Sequence, residues 1–333
     1  MVYYTFIKYC GEKKLKSNPK VTLIIPNLNG KKLLKKCLTS LKKLNYEDYE
    51  IIVSDGGSTD GTCEMIKRDF KNVRLIKEKG AGIGRSNNLG IKAATGEIIA
   101  FDLNNDEIFH KDWLKKLVEV LLSSPEIGIV GGSRIVYGTR NIIDEAGYRF
   151  NILGMAHNNN GLSLEQLPKE PEVVDFVGIP VFRRNLIYRI GMCDEQYHIY
   201  NEDSDFCLRA NRAGFKTLWV PTAISYHRRH STISSQNGNK TYIFIRNNLR
   251  FFIKNLPFRL LLTSLFFQVI IFPYLKIFYS ILFYKMSIFR SKRFLSVLYV
   301  KNVPLYFISF LKGLWWNIKN LESTLSLRRI KMF

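Results

Sequence analysis

Residues 21–60 read VTLIIPNLNGKKLLKKCLTSLKKLNYEDYEIIVSDGGSTD, and their pattern decides the fold. The first five, VTLII, form a short apolar run rich in β-branched side chains, which is typical of a strand buried on both faces. Leucines then recur at helical spacing across residues 33–44, and lysines fill the outward face of that predicted helix. Residues 50–54 form a second strand-like run. The stretch therefore predicts a strand, a helix and another strand.

The same alternation of strands and helices continues to residue 101. A helix is predicted after Asp60, a strand at 73–76, a helix at 86–94 and a strand at 98–101. Strands separated by helices predict an α/β fold with a Rossmann-like, mostly parallel sheet flanked by helices, and ligands bind such sheets beyond the carboxyl ends of the strands. A less regular half, with short strands such as 173–178, follows from about residue 127 to residue 227.

The charge of the chain is unevenly distributed. Its 333 residues are 46% hydrophobic and can bury a large core, and they carry a formal net charge of +22. From Lys240 onward there are 16 Lys and Arg and a single acidic residue, Glu322. Because this basic tail is also rich in Phe, Leu, Ile and Tyr, it favours an anionic membrane surface over nucleic acid as a partner.

The cysteines and the N-terminus favour a cytosolic location for the core of this protein. The five cysteines show no CxxC pair and no metal-ligand spacing, so neither a disulfide framework nor a zinc site is expected. Lysines near the N-terminus are not followed by an apolar segment of signal-peptide length. We therefore expect a reducing compartment.

Polar residues that follow the predicted strands are the first candidates for chemistry, and the loops after the first, second and fourth strands should converge on one edge of the sheet. Asp55 ends the second strand and could accept hydrogen bonds from a nucleotide base or a ribose, although an ordinary turn is the alternative. Asn104, Asn105 and Asp106 follow the fourth strand and offer oxygen ligands to a hard cation, which a plain loop would also explain.

A second group of candidates lies near the predicted start of a helix. Glu202, Asp203 and Asp205 place three carboxylates within four positions, and such crowding in a cleft raises a pKa and makes a general base. Capping of an acidic helix start is the alternative. His227 closes a strand-like run and is either a metal ligand or a structural hydrogen-bonding residue.

Five segments together resemble the family 2 inverting glycosyltransferases of the GT-A fold, particularly their rhamnosyltransferase-like branch. They fall in the family's order across residues 21–227 and are specific as an ordered set. The segments are VTLIIPNLNG, IIVSDGGSTDGT, GIGRSNNLGIKAATGEIIAFDLNND, FVGIPVFRR and YNEDSDFCLRANRAGFKTLWVPTAISYH.

The resemblance implies roles for individual residues. Asp203, with Glu202 beside it, would deprotonate the acceptor, and Asp106 would hold Mg²⁺ or Mn²⁺ against the donor diphosphate, with His227 as a further metal ligand. The motif that is Asp-x-Asp in many relatives reads Asn104-Asn105-Asp106 here, which leaves one acidic ligand. The expected nucleotide-binding residues are Pro26, Asn27, Asn29, Asp55, Gly57, Arg85, Asn88 and Asn104.

The chain divides, on this interpretation, into three parts. Residues 1–20 form an N-terminal extension, residues 21–235 the GT-A catalytic domain, and residues 236–333 a basic, hydrophobic, helical region that associates with a membrane. Within the domain, residues 21–110 form the nucleotide-binding half and residues 111–235 the acceptor half. The uncharged run 260–275 is short for a bilayer span, so helices in the interface or a re-entrant hairpin are favoured over a span. A helical subdomain packed on the catalytic core is the remaining alternative.

The predicted function is inverting transfer of a sugar from a nucleotide-diphosphate donor to a hydroxyl of a glycan or lipid-linked acceptor, at the cytoplasmic face of the cell membrane. A non-catalytic, membrane-bound sugar- or polyanion-binding protein on the same fold is the alternative. A nicotinamide-dependent dehydrogenase is disfavoured, since residues 80–85, GAGIGR, lack the G-x-G-x-x-G spacing.

Overall fold

The computed structural model describes residues 18–139, 141–151, 156–228, 240–266 and 303–328. Two segments of the sequence analysis therefore lie largely outside the described residues. They are the predicted N-terminal extension and the stretch from residue 267 to residue 302, which includes much of the uncharged run and the basic residues after it.

The first half alternates strands and helices as the sequence predicts. Its elements are β1 (Val21–Asn27), α1 (Lys31–Leu41), β2 (Tyr49–Asp55), α2 (Thr62–Asp69), β3 (Val73–Lys77), α3 (Ile83–Ala93) and β4 (Ile98–Ala100). β1 pairs in parallel with β2 and β4, and β2 pairs in parallel with β3. This confirms the predicted parallel half-sheet.

The second half adds short strands of mixed direction. Its elements are β5 (Glu107–Phe109), α4 (Trp113–Leu122), β6 (Ile127–Val136), β7 (Ile143–Glu145), β8 (Arg149–Phe150), β9 (Ala156–His157), β10 (Glu172–Val174), β11 (Val181–Arg183), α5 (Ile187–Ile190), α6 (Glu202–Arg212) and β12 (Lys216–His227). The main sheet runs β10-β12-β6-β11-β4-β1-β2-β3, with β5 added to β12 and β7 to β6. β11 is antiparallel to both β4 and β6 and joins the two halves.

The core has two layers because the central strands are buried on both faces. Alternate residues of β1 enter opposite layers: Leu23 packs with α1 and α4, whereas Ile24 packs with residues of α3 and α6. Gly90 of α3 permits close packing, since a Cβ there would lie 2.4 Å from Cγ2 of Ile24. The carboxyl ends of β1 and β4 are thus held at one rim, where the strand order reverses.

Four described helices follow β12 in the chain. They are α7 (Lys240–Asn255), α8 (Phe258–Leu265), α9 (Val303–Lys319) and α10 (Leu321–Arg328). α7 packs against α9, α10 and α6, so these helices form a subdomain on the catalytic core. Within the described ranges, none of the helices has the length and apolar character needed to cross a bilayer.

Candidate functional site

One side chain joins the three loops that the sequence predicts to converge. Asn27 Nδ2 donates a hydrogen bond to Asp55 Oδ2 at 3.0 Å, and Asn27 Oδ1 accepts one from Asn105 Nδ2 at 2.7 Å. Gly30 allows this approach, because a Cβ there would lie 2.2 Å from Asn105 Nδ2. The loops after β1, β2 and β4 therefore meet at one rim of the sheet.

The carboxylate of Asp55 is buried and shapes the turn that follows it. It accepts hydrogen bonds from the backbone N–H of Gly57 at 3.1 Å and of Ser58 at 2.7 Å, and from Ser58 Oγ at 2.6 Å. With the bond from Asn27, four donors occupy a group that has about four lone-pair sites. Direct contact with a nucleotide would require exchange of one of these partners and stays a prediction.

The other predicted nucleotide-binding residues of these loops reinforce the same turn. Asn29 adopts a left-handed φ of 51°, donates its N–H to Ser58 Oγ at 2.7 Å and accepts the N–H of Thr59 at 2.8 Å. Pro26 is half-buried in β1. Gly57 has a φ of +104°, which a side chain would strain.

Arg85 and Asn88 lie on α3 and link it to the second half of the sequence. Arg85 forms ion pairs with Glu78 and with Glu195, and its side chain is about half exposed. Asn88 accepts the N–H of Cys193 at 2.9 Å and donates to the carbonyl oxygen of the same residue at 2.9 Å. Asn88 thus has an evident packing role, and nucleotide contact by either residue stays a prediction.

Asp106, His227 and Asp144 form a row at the far end of β12. The antiparallel pairing of β5 with β12 sets His227 opposite Glu107, which places its ring beside the preceding residue, Asp106. His227 Nε2 lies 3.5 Å from Asp106 Oδ1, and His227 Nδ1 lies 2.6 Å from Asp144 Oδ2. Asn104 donates to Glu107 Oε1 at 3.3 Å and closes the same loop.

This row suits a divalent cation. Metal–ligand distances of about 2.0–2.2 Å allow one ion to contact two atoms separated as the Asp106 and His227 atoms are. Asp144 would then orient the imidazole from its other nitrogen, as carboxylates commonly do for histidine ligands. Within the described ranges, no three His, Cys, Asp or Glu side chains form a metal site, so such an ion would take further ligands from substrate or water.

The electrostatics of His227 fit the same interpretation. Burial lowers the pKa of His227, but the adjacent carboxylates of Asp106 and Asp144 raise it to about 10. The site therefore favours a positive charge between the two carboxylates. A bound cation would supply that charge and release the proton, because a histidine ligand must be neutral.

The three carboxylates at the start of α6 have different environments. Burial raises the pKa of Asp203 to about 8, with a further contribution from Asp102, and burial raises that of Glu202 well above its usual value. Asp205 is buried too, but Lys254 and Arg209 bring its pKa down to about 2. The predicted crowding thus leaves two candidate bases, while Asp205 belongs to an ion-pair network.

An acidic residue that the sequence analysis passed over completes this side of the site. Asp102 lies two residues after the end of β4 with a left-handed φ of 63°, and its N–H donates to Asn87 Oδ1 at 3.1 Å. Burial raises its pKa to about 6, although Arg134 opposes the effect. The sequence signal for Asp102 is an acidic residue just after a buried apolar strand, four positions before Asp106.

Arg134 connects the row of Asp106, His227 and Asp144 to the candidate bases. It pairs with Glu107 through Nε at 2.6 Å and with Glu145 through Nη1 at 2.6 Å. Glu145 follows Asp144 in the chain and raises the pKa of Asp203 by its charge. Candidate metal ligands and candidate bases therefore belong to one buried, charged centre, which β6 and β7 complete.

Comparisons with known proteins agree with this geometry. The sequence profile of Glycosyl transferase family 2 matches residues 22–190. An uncharacterized glycosyltransferase of Nostoc sp. is 31% identical over 131 residues, 38% of this chain and 40% of that protein. The O-antigen biosynthesis protein RfbC of Myxococcus xanthus is 25% identical over 244 residues, 68% of this chain but only 18% of RfbC.

A solved structure shows the same fold. The mannosyltransferase PcManGT from Pyrobaculum calidifontis, in complex with GDP-Man and Mn²⁺, superposes with a TM-score of 0.57 at 17% identity, covering 95% of this chain and 87% of that one. The mixed α/β fold with a mostly parallel central sheet is therefore that of the GT-A glycosyltransferases. Since the family profile covers half of the sequence, the chain belongs to glycosyl transferase family 2.

Proposed function

We propose that this chain transfers a sugar from a nucleotide-diphosphate donor to an acceptor hydroxyl with inversion at the anomeric carbon. The observation that carries the proposal is the pair of Glu202, which is buried, and Asp203, which is half-buried, at the start of α6 beside Asp102. Arg134 pairs with Glu107, next to Asp106, and with Glu145, whose charge acts on Asp203, so the pair and the row of Asp106 and His227 are electrostatically connected. One base and one leaving-group site suffice for a single displacement. No second carboxylate acting as a nucleophile is required.

Asp203 is the general base in this proposal. Its pKa of about 8 lets it take the proton of the acceptor hydroxyl as the oxygen attacks, and a base whose pKa lies near the working pH is efficient. The N–H of Ser204 donates to Asp203 Oδ1 at 2.6 Å and fixes the direction of the carboxylate. Glu202, whose Oε2 is buried without a hydrogen-bond partner, would shape the charge around the base.

Asp106 and His227 would hold Mg²⁺ or Mn²⁺ in this proposal, and the ion would neutralise charge on the departing diphosphate. The Mn²⁺ named with PcManGT supports the choice of ion, and the GDP-Man of that complex supports a nucleotide-sugar donor. Pro26, Asn27, Asn29, Asp55, Gly57, Arg85, Asn88 and Asn104 would form the nucleotide side of the site.

The acceptor is proposed to be a glycan or lipid-linked precursor at the cytoplasmic face of the membrane, in the manner of the rhamnosyltransferase-like branch. The name of RfbC, an O-antigen biosynthesis protein, supports a polysaccharide acceptor. An exposed apolar stripe on α9 supports a membrane contact. Its members are each about half exposed and comprise Phe307, Ile308, Leu311, Trp315 and Ile318. The catalytic domain at 21–235 and the membrane-associating region at 236–333 belong to the same proposal.

The test is a screen of nucleotide sugars for donor hydrolysis and transfer, with Mn²⁺, with Mg²⁺ and with EDTA. We expect turnover that EDTA removes, and losses of about 10²–10⁴-fold in Asp203→Asn. Asp106→Ala should lose turnover and the thermal stabilisation by Mn²⁺ together. Glu119→Gln, which changes an exposed carboxylate on α4, is the matched control. Binding of a nucleotide sugar without turnover in the wild type would instead favour the non-catalytic alternative.

A further inference from the structure

The loop that presents the candidate base ends in an unfavourable backbone conformation. Residues 194–201, DEQYHIYN, form the later part of the connection from α5 to α6, and Tyr200 and Asn201 both adopt left-handed φ angles, 70° and 72°. Such a conformation persists in a residue other than glycine only where the surroundings impose it, and it concentrates at functional sites. Some part of the molecule must therefore hold this loop.

Asn247 of α7 makes the contacts that hold it. Its Nδ2 donates to the carbonyl oxygen of Ile199 at 2.6 Å and to that of Tyr200 at 3.1 Å, and the side chain is fully buried. The side-chain Oδ1 accepts from Arg246 Nε at 2.9 Å, which fixes the amide in this orientation. These carbonyl groups belong to the peptides that immediately precede Tyr200 and Asn201, the two left-handed residues.

The same face of α7 fixes the beginning of the loop. Arg246 donates to the carbonyl oxygen of Gln196 at 2.8 Å. Arg250 and Lys254 are fully buried and pair with Asp194 Oδ2 at 2.9 Å and 3.0 Å. Residues spaced by three and four positions share a face of a helix. The α7 residues Arg246, Asn247, Arg250 and Lys254 therefore form one continuous polar surface.

This surface also reaches the helix that carries the base. Lys254 Nζ lies 2.9 Å from Asp205 Oδ1, and Asn255 donates to the same oxygen at 2.7 Å. Asp205 lies two residues after Asp203. α7 is therefore attached at both sides of the candidate base, through Asn247 before it and through Lys254 after it.

We propose that α7 is a positioning element for the general base, and that Asn247 acts by fixing the peptides of Ile199 and Tyr200 so that the first turn of α6 directs Asp203 toward the acceptor. The inference rests on the proposed function. It assigns to the C-terminal region a role inside the active site, in addition to any contact with a membrane. Loss of the Asn247 amide then impairs transfer while the donor still binds, because the donor loops after β1, β2 and β4 keep their own hydrogen bonds.

The experiment compares Asn247→Ala and Asn247→Asp with Asn317→Ala in the full chain. Asn317 is the matched control, because its buried amide also donates to two carbonyl oxygens, those of Arg246 and Gly313, both at 2.9 Å, but does not touch the 194–201 loop. We expect both Asn247 variants to lower kcat for transfer by about 10²-fold, as a misplaced catalytic group does, with the KM for donor nearly unchanged. Asn317→Ala should have a melting temperature similar to that of Asn247→Ala but keep the kcat of the wild type.

A readout independent of turnover separates this inference from the proposed function. Hydrogen exchange of the amides in residues 199–205 should become faster in Asn247→Ala and stay unchanged in Asn317→Ala. A wild-type protein that turns over no donor would refute the proposed function, whereas the exchange result would still decide whether Asn247 holds the loop. Equal kcat and equal exchange in Asn247→Ala and Asn317→Ala would overturn the positioning role.

Discussion

Two aspartates on one turn of α6 have opposite environments. Burial and the charge of Asp102 raise the pKa of Asp203 to about 8, whereas Lys254 and Arg209 bring the pKa of the buried Asp205 down to about 2. An aspartate with a raised pKa stabilises the folded state only while it is protonated. That stability is complete below the unfolded-state pKa and is lost as the pH rises through the folded-state pKa. The two residues should therefore respond in opposite ways to the same substitution.

Asp203→Asn should lower transfer by about 10²–10⁴-fold yet raise the melting temperature above pH 8, because the unfavourable charge of this carboxylate disappears. The gain should be about 2–4 °C for each kcal/mol relieved, and it should vanish near pH 4. Asp205→Asn should instead lower stability by about 3–5 kcal/mol at pH 7, since it leaves Lys254 buried beside a weaker partner. Thermal melts from pH 4 to pH 9 measure both. Equal destabilisation by the two substitutions would contradict the assignment.

The pH dependence of catalysis follows from the same group. A base must be ionised to accept a proton, so kcat/KM for the wild type should rise with pH and level off above an apparent pKa of about 8. Asp102 and Glu202 interact with Asp203, so the observed value belongs to the group of carboxylates. A rate profile with one donor at saturating Mn²⁺ measures it. A rate that is flat from pH 6 to pH 9 would argue against Asp203 as the base.

At the scale of elements, α3 packs directly on β1, the strand that ends at Asn27. Gly90→Ala would force a Cβ against Ile24, 2.4 Å from its Cγ2, and should cost about 1–3 kcal/mol through overpacking. The cost should shrink in an Ile24→Ala background, where the obstructing atoms are gone. Denaturant unfolding of the four proteins in this cycle gives the coupling energy. Additive effects of the two substitutions would show that α3 does not pack on β1 as described.

At the scale of the whole molecule, the described C-terminal helices pack on α6 and also expose an apolar stripe to solvent. The positive charge of the basic tail is partly internal. Arg250 and Lys254 are buried and pair with the carboxylates of Asp194 and Asp205, so these two side chains do not face a membrane. The described helices form the packed helical subdomain that the sequence left as an alternative. The apolar stripe of α9 is exposed beside Lys312 and Lys319, which suits an anionic lipid surface.

Binding to vesicles tests the proposed membrane contact. The full chain should sediment with vesicles that contain anionic lipid, and binding should weaken as salt increases. Trp315→Ser and Leu311→Ser should each reduce binding, because both side chains are about half exposed on the stripe. Tyr188→Ser, which changes a strongly exposed side chain on α5, is the control. Equal binding by the stripe variants and the control would refute the proposal for this face.

The sequence alone determined the order of strands and helices in the first half, since the period of apolar residues is local and strong there. It also predicted that the loops after β1, β2 and β4 meet, because parallel strands place their carboxyl ends together. Asp106, His227, Glu202 and Asp203 were predicted as site residues on the same basis or by resemblance. Their chemical roles stay predictions that the experiments above address.

Tertiary structure decided what each side chain in the site contacts. The largest difference between Asp203 and Asp205 comes from Lys254, about fifty positions away in the sequence, with a smaller local contribution from Arg209, four residues after Asp205. Arg134 and Glu145 were missed for the same reason, because ion pairs between β6, β7 and β5 depend on strand pairing rather than on spacing. In the sequence, Asn247 is one polar residue among several in a basic helix. Only the folded structure places it within hydrogen-bond distance of the carbonyl oxygens of Ile199 and Tyr200. Periodicity is a property of neighbouring residues, whereas charge burial and hydrogen-bond partners are set by residues that only folding brings together.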